Sequence, residues 1–291
     1  SAASDVYKRQ VYMDIIKNKV LVGERALFQI ENAEIEDCTF EDGESPLKES
    51  KNNHIQNSTF SWKYPIWYSN NIKVENSVFN ETARSGIWYT ENISIINSKI
   101  DCPKIFRRSK NIYLENCNLN NASESLWNCD GFSAKDIYVR GDYFGMNSKN
   151  ITVDNMTIDG NYVFDGGKNI VIKNSHLNSK DAFWNCENVV IINCEIDGEY
   201  FGWNSKNITI IDSTISSLQG FCYMENLAMK NCILKDTTLA FEYSTVEVEI
   251  NSKIDSVKNP YGGTIRAKEI GEIILEDKKI DPKKTNIIIT R

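Results

Sequence analysis

The segment Trp184-Asn185-Cys186-Glu187-Asn188-Val189 returns as Trp203-Asn204-Ser205-Lys206-Asn207-Ile208, an offset of nineteen residues. The same offset organises most of the chain. With the Asn before the apolar run as reference, the slot recurs at Asn32, Asn52, Asn71, Asn92, Asn111, Asn150, Asn169, Asn188, Asn207 and Asn226. Gly131 and Thr245 fill the same slot, and successive gaps are 20, 19, 21, 19, 20 and then 19 six times. A fixed period near 20 residues is the mark of a solenoid, in which each unit packs only on its neighbours.

The pattern inside each unit selects the solenoid. After the reference Asn, apolar and polar residues alternate, as in Asn169-Ile170-Val171-Ile172-Lys173-Asn174. Period-two alternation in a β-branched run reads as strand. An Asn or Asp turn then leads to a small residue and, two positions on, a large apolar one, as in Ser58 with Phe60 or Cys194 with Ile196. A third run, such as Ala182-Phe183-Trp184-Asn185-Cys186, precedes the next reference Asn. Three short strands per coil of about 19 residues, with no helical stretch, predict an all-β, right-handed parallel β-helix in which like residues stack about 4.8 Å apart. The expected organisation is a linker-like segment 1–10 outside the fold, an N-terminal cap 11–30, about twelve coils over 31–254, and a C-terminal cap 255–291.

At 291 residues and 41% hydrophobic the chain can bury a large core. A net charge of −7 without a basic stripe argues against nucleic acid as partner. No apolar run approaches the roughly 18 residues needed to span a bilayer, and no charged-then-apolar leader opens the chain, so a soluble protein is expected. Among the eight cysteines there is no CxxC pair. Cys38, Cys117, Cys194 and Cys232 share one core column with Ser, and Cys129 and Cys186 share another, which reads as small buried residues. Free thiols in that number favour a reducing cytoplasm.

The segments GERALFQI, FEDGESPLKES, WKYPIWY, GIWYT, FRRSKNI, GDYFGMNSKN, SKDAFWNCENV, LQGFCY and LAFEYSTVEVEI carry a family resemblance. Over residues 19–277 the chain resembles an uncharacterised bacterial family of unknown function within the right-handed, pectin-lyase-like β-helix superfold. The resemblance implies a fold and supplies no catalytic residues. Better-known proteins of that fold act on polysaccharides, which is analogy alone.

Trp67, Trp88, Trp127, Trp184 and Trp203 sit four residues before the reference slot, with Arg107, Met146, Asp165, Cys222 and Phe241 in the intervening places. One position earlier run Ile66, Ile87, Phe106, Leu126, Gly145, Phe164, Phe183, Gly202, Phe221 and Ala240. Alternation points one column inward and the other outward. The earlier column is apolar and uncharged, so it is assigned to the core and the tryptophans to the outer face. Tryptophan beside Arg107, Arg108, Asn128, Asn147, Asn185 and Asn204 suits an oligo- or polysaccharide, whose ring faces pack on aromatics while its hydroxyls bond amides and charges. The same ladder could be structural, a stack that only holds the rod. It could also be the face of a homodimer.

Candidates for chemistry are few. His54 and His176 lie at outward strand positions, and neither a Ser-His-Asp set nor a phosphate-cradling glycine loop is evident. A carboxylate group leads into the tryptophan run: Asp142, Asp165, Asp181 and Glu199. Asp181 and Glu199 are read as adjacent slots on neighbouring coils, close enough to serve as acid and base of a hydrolase. They could equally be solvated turn residues. A lyase would want a cationic base, with Arg107 or Arg108 best placed. No metal site or cofactor is expected. The alternative is a non-catalytic structural or protein-interaction solenoid.

Overall fold

The β-branched runs stack in register. In the computed structural model, which describes residues 14–290, Ile72 pairs with Ile93, Ile93 with Ile112, Ile112 with Phe132 and Phe132 with Ile151. The series continues through Ile170, Val189, Ile208 and Leu227, and every member is buried. A second series runs along the neighbouring side, Phe40, Phe60, Phe79, Ile100, Leu119, Val139, Ile158 and Leu177, with the first three rings stacked at 4.7 and 4.6 Å. All pairings among the described residues are parallel, and the chain is an all-β parallel β-solenoid. None of its described helices is long and apolar enough to cross a membrane.

Two features depart from the expectation. There are about 15 turns, not twelve, because the end segments expected as caps also stack. Asp14–Lys17 and Val20–Val22 pair with Ala33–Glu36 and Thr39–Glu41, while Thr245–Lys258, Gly262–Ile274 and Thr285–Ile289 prolong the other end. Residues 1–10, expected as a linker, lie outside the described residues. The third run, in turn, is regular strand only where Ile87–Trp88 pairs with Phe106–Arg107. Further along, its core residue adopts a left-handed backbone, with φ of 58° at Leu126, 62° at Phe164, 60° at Phe183 and 66° at Phe221, which turns the chain instead of extending it. Glycine takes that place at Gly145 and Gly202, and at Gly145 a Cβ would come within 2.4 Å of the Phe164 ring. There Phe144 and Phe201, one residue earlier, fill the core.

The corners are held by amide ladders. Each reference Asn has positive φ, and most donate a side-chain N–H to the Asn one coil before, as from Asn71 to Asn52 at 2.9 Å and from Asn207 to Asn188 at 3.0 Å, while Asn150, which follows the Gly131 coil, donates to the Asp130 carboxylate at 2.7 Å. Ser and Cys exchange freely in the core column because both donate to the same kind of partner: Ser213 Oγ to the carbonyl of Ile211 at 2.8 Å, Cys117 Sγ to the carbonyl of Glu115 at 3.3 Å. All eight cysteines are free and buried. Burial pushes the thiols of Cys129 and Cys222 up to about 12, so those two stay protonated and unreactive.

Candidate functional site

The tryptophan column lies outside the core and half-buried, as the alternation predicts, while Ile66, Ile87, Phe106, Leu126, Phe164 and Phe183 beneath it are buried. Two assignments are corrected. Cys222, placed in the outer column, is buried. Phe241 belongs to the core column, since its N–H bonds the Gly220 carbonyl as that of Phe221 bonds the Phe201 carbonyl, and its ring lies 5.5 Å from that of Phe221. An extra residue in that coil shifts the frame, and Glu242 takes the outer place: the Tyr223 N–H bonds its carbonyl as that of Asn185 bonds the Trp203 carbonyl.

The indoles are committed to the rod. Each N–H donates to a backbone carbonyl of the next coil: Trp67 to Ser85 at 2.6 Å, Trp88 to Lys104 at 2.8 Å, Trp127 to Tyr143 at 2.6 Å, Trp184 to Tyr200 at 2.5 Å and Trp203 to Gln219 at 2.8 Å. Trp67 stacks on Trp88 at 5.1 Å and Trp184 on Trp203 at 5.7 Å. The Arg107 guanidinium is sandwiched between Trp88 and Trp127, 4.6 and 4.7 Å from their ring centres. Its Nε and Nη2 are buried without a hydrogen-bond partner, so the cation is held by the two rings and by Glu124 at 3.9 Å. That position suits a structural clamp and not a base reaching into solvent. Stacking covers ring faces and leaves the edges outward.

Beside the edges runs an exposed row, one residue further along each coil: Tyr68, Arg108, Asn128, Asn147, Asn185, Asn204 and Tyr223, with Tyr89 half-buried. All are in the left-handed region, which aims each side chain outward at a corner. Tyr68 stacks on Tyr89 at 4.7 Å and Tyr223 lies 5.4 Å from Tyr243. Asn204 donates to Asn185 at 2.8 Å and Asn185 to the Asp165 carboxylate at 2.8 Å, so Asp165 is an end of an amide ladder. The amides and Arg108 are among the candidates read from the sequence; the tyrosines are not, although their recurrence one place after the tryptophan is a signal of the same kind.

The carboxylates do not form one open pair. The Lys180 carbonyl accepts from the Glu199 N–H, and Lys180 Nζ lies 2.7 Å from the Glu199 carboxylate. Lys180, and then Tyr200, hold Glu199 below the usual carboxylate range. Asp181, one place on, is buried and hydrogen-bonded to Tyr162, and its Oδ1 has no partner. Burial first, then Glu199 and Asp165, push its carboxyl up against the opposing pull of Tyr162 and Lys180. The two titrations are thus driven apart, the relation wanted of an acid and a base, yet Asp181 is closed to a substrate. Asp142 is exposed and accepts the Asn161 N–H at 2.8 Å.

A buried carboxyl raised in the folded state contributes fully to stability below its unfolded value, and that contribution is lost as pH rises through the folded value. Asp181→Asn is therefore expected to melt above the wild type at pH 7. The difference should vanish toward pH 3.5, where both folded and unfolded Asp181 become protonated. Thermal melts across that range check it, and equal melting temperatures at pH 7 would show that Asp181 is not desolvated.

Among solved structures, the chain is similar to PfbA, a surface adhesin of Streptococcus pneumoniae, at 9% identity over 89% of this chain and 81% of that one, with a TM-score of 0.38. It is similar to the A-module of the Azotobacter vinelandii mannuronan C-5 epimerase AlgE4, at 10% identity, 95% and 88% coverage and a TM-score of 0.34. The periplasmic alginate epimerase AlgG matches at 9% identity, 95% and 74% coverage and a TM-score of 0.38. No curated protein matches the chain. A family model matches residues 14–288, and the chain belongs to that family, described as protein of unknown function, DUF3737.

Proposed function

We propose that the protein binds an oligo- or polysaccharide along the face marked by the tryptophan column and does not cleave it. The observation that carries this is the exposed row from Tyr68 to Tyr223, which offers an aromatic, amide or guanidinium group on coil after coil at a spacing set by the strands. Hydroxyl-rich chains are recognised by such convergent polar groups with aromatic surface beside them. Cleavage is disfavoured because Asp181 is buried, Glu199 is bound to Lys180, Asp165 ends a ladder and Arg107 is sandwiched. Eight free thiols favour a reducing compartment, the cytoplasm, as its location. The net charge of −7 disfavours a nucleic-acid partner.

The filled ring faces favour a second reading, a non-catalytic rod whose aromatic ladder is only structural. Calorimetric titration with a panel of neutral and uronic hexasaccharides decides between them. Saturable binding of at least one member, weakened by about tenfold or more, roughly 1.4 kcal/mol, in Tyr68→Ala/Arg108→Ala, is expected. Absence of binding across the panel, or unchanged binding in the double variant, would leave the structural rod.

A further inference from the structure

On the side of the rod formed by the second strand series, His176–Asn178 pairs in parallel with Glu195–Asp197, placing His176 opposite Glu195 and Asn178 opposite Asp197. Residues two apart on a strand share a face, so His176, Glu195 and Asp197 all point outward. One ligand atom from each lies within 4.8 Å of the others. The imidazole Nδ1 is 3.5 Å from the Glu195 carboxylate and Nε2 is 3.9 Å from that of Asp197.

The other histidine supplies a comparison. His54 also sits between two carboxylates, but at 3.1 Å from Glu34 and 2.6 Å from Glu75, a closed arrangement in which the ring is hydrogen-bonded on both sides and only 15% of the side chain is exposed. At His176 the same elements stand open, with 43% of the side chain exposed and both contacts longer than a good hydrogen bond. His176 and Glu195 border a groove lined also by Asn155, Thr157, Asn174, Asn193 and Thr214.

We infer that His176, Glu195 and Asp197 bind a divalent transition-metal ion of the zinc type. One imidazole and two carboxylates are a recognised ligand set for such ions, at about 2.0–2.2 Å from each donor. With one ligand atom from each residue already within 4.8 Å of the others, side-chain rotation is the only movement the site asks for. Three protein ligands leave coordination places for water. The carboxylates neutralise the ion's charge, and the paired strands fix the spacing of the ligands. The site lies on a different side of the rod from the tryptophan face and does not depend on the saccharide reading.

Titration of the full chain with zinc chloride by calorimetry tests it, alongside thermal melts with and without zinc. One saturable equivalent is expected, together with a rise in melting temperature on adding zinc. Both should be lost, with at least a tenfold fall in affinity, in His176→Gln and in Asp197→Asn. These exposed substitutions are expected to leave the zinc-free melting temperature unchanged, which separates loss of the site from loss of the fold. No saturable binding, or zinc binding that persists unchanged in His176→Gln, would overturn the assignment.

Discussion

Trp88→Ala is expected to lower the stability of the rod by about 3 kcal/mol, near the lower end of large-to-small aromatic substitutions because the ring is half-buried. Three contacts go at once: the stack on Trp67, the guanidinium of Arg107 over the ring, and the hydrogen bond from the indole N–H to the Lys104 carbonyl. Arg107, whose Nε and Nη2 have no hydrogen-bond partner, is left clamped on one side only. Trp88→Phe keeps an aromatic face in the stack and loses the N–H bond, so it should cost about 1 kcal/mol. Chemical denaturation of the three proteins checks both numbers. Equal stability of Trp88→Ala and wild type would show that the ladder is ornament on an otherwise self-sufficient stack.

A larger effect is expected at Phe183→Ala, about 4 kcal/mol. Phe183 is fully buried in a run of rings, 5.7 Å from Phe164 and 5.5 Å from Phe201, which leads on to Phe221 at 5.3 Å and Phe241 at 5.5 Å. Removing the ring leaves a cavity between coils whose backbones are tied by in-register hydrogen bonds and cannot close over it. Because each coil touches only its neighbours, the damage should be local first. Amide hydrogen exchange is expected to quicken in residues 164–221 while strands near Ile72 and Ile93 keep their protection. Uniform loss along the chain would mean that the rod unfolds as one cooperative unit.

Much of this was legible from the spacing. The nineteen-residue recurrence of Asn before an alternating run defines the coil, the in-register stack and the amide ladders, since a β-helix places like residues one above another. The inward and outward columns around Trp184 follow from the absence of charge in one of them. What escaped the pattern depends on how the chain turns corners. Phe183 and Phe164 adopt a left-handed backbone that bulky residues rarely take, so the third run reads as strand in the sequence and turns in the molecule. The frame shift at Phe241 and the offset between Asp181 and Glu199 are one-residue effects that periodicity near 19 does not resolve. Whether a ring face is free was beyond reach as well, because stacking of Trp67 on Trp88, or of Arg107 between Trp88 and Trp127, depends on side-chain rotation. The end coils lack the Asn signal and stack through backbone hydrogen bonds that almost any residue can make.

One face of the rod divides its labour: the tryptophans hold the coils together and the exposed row beside them takes the saccharide. Calorimetric titration of the same hexasaccharide panel into Trp88→Phe, with its melting temperature recorded in parallel, separates the two roles. A lowered melting temperature and an affinity equal to that of the wild type are expected. An affinity that collapses in a protein still melting cooperatively would contradict that division, and would make the indole itself the ligand contact.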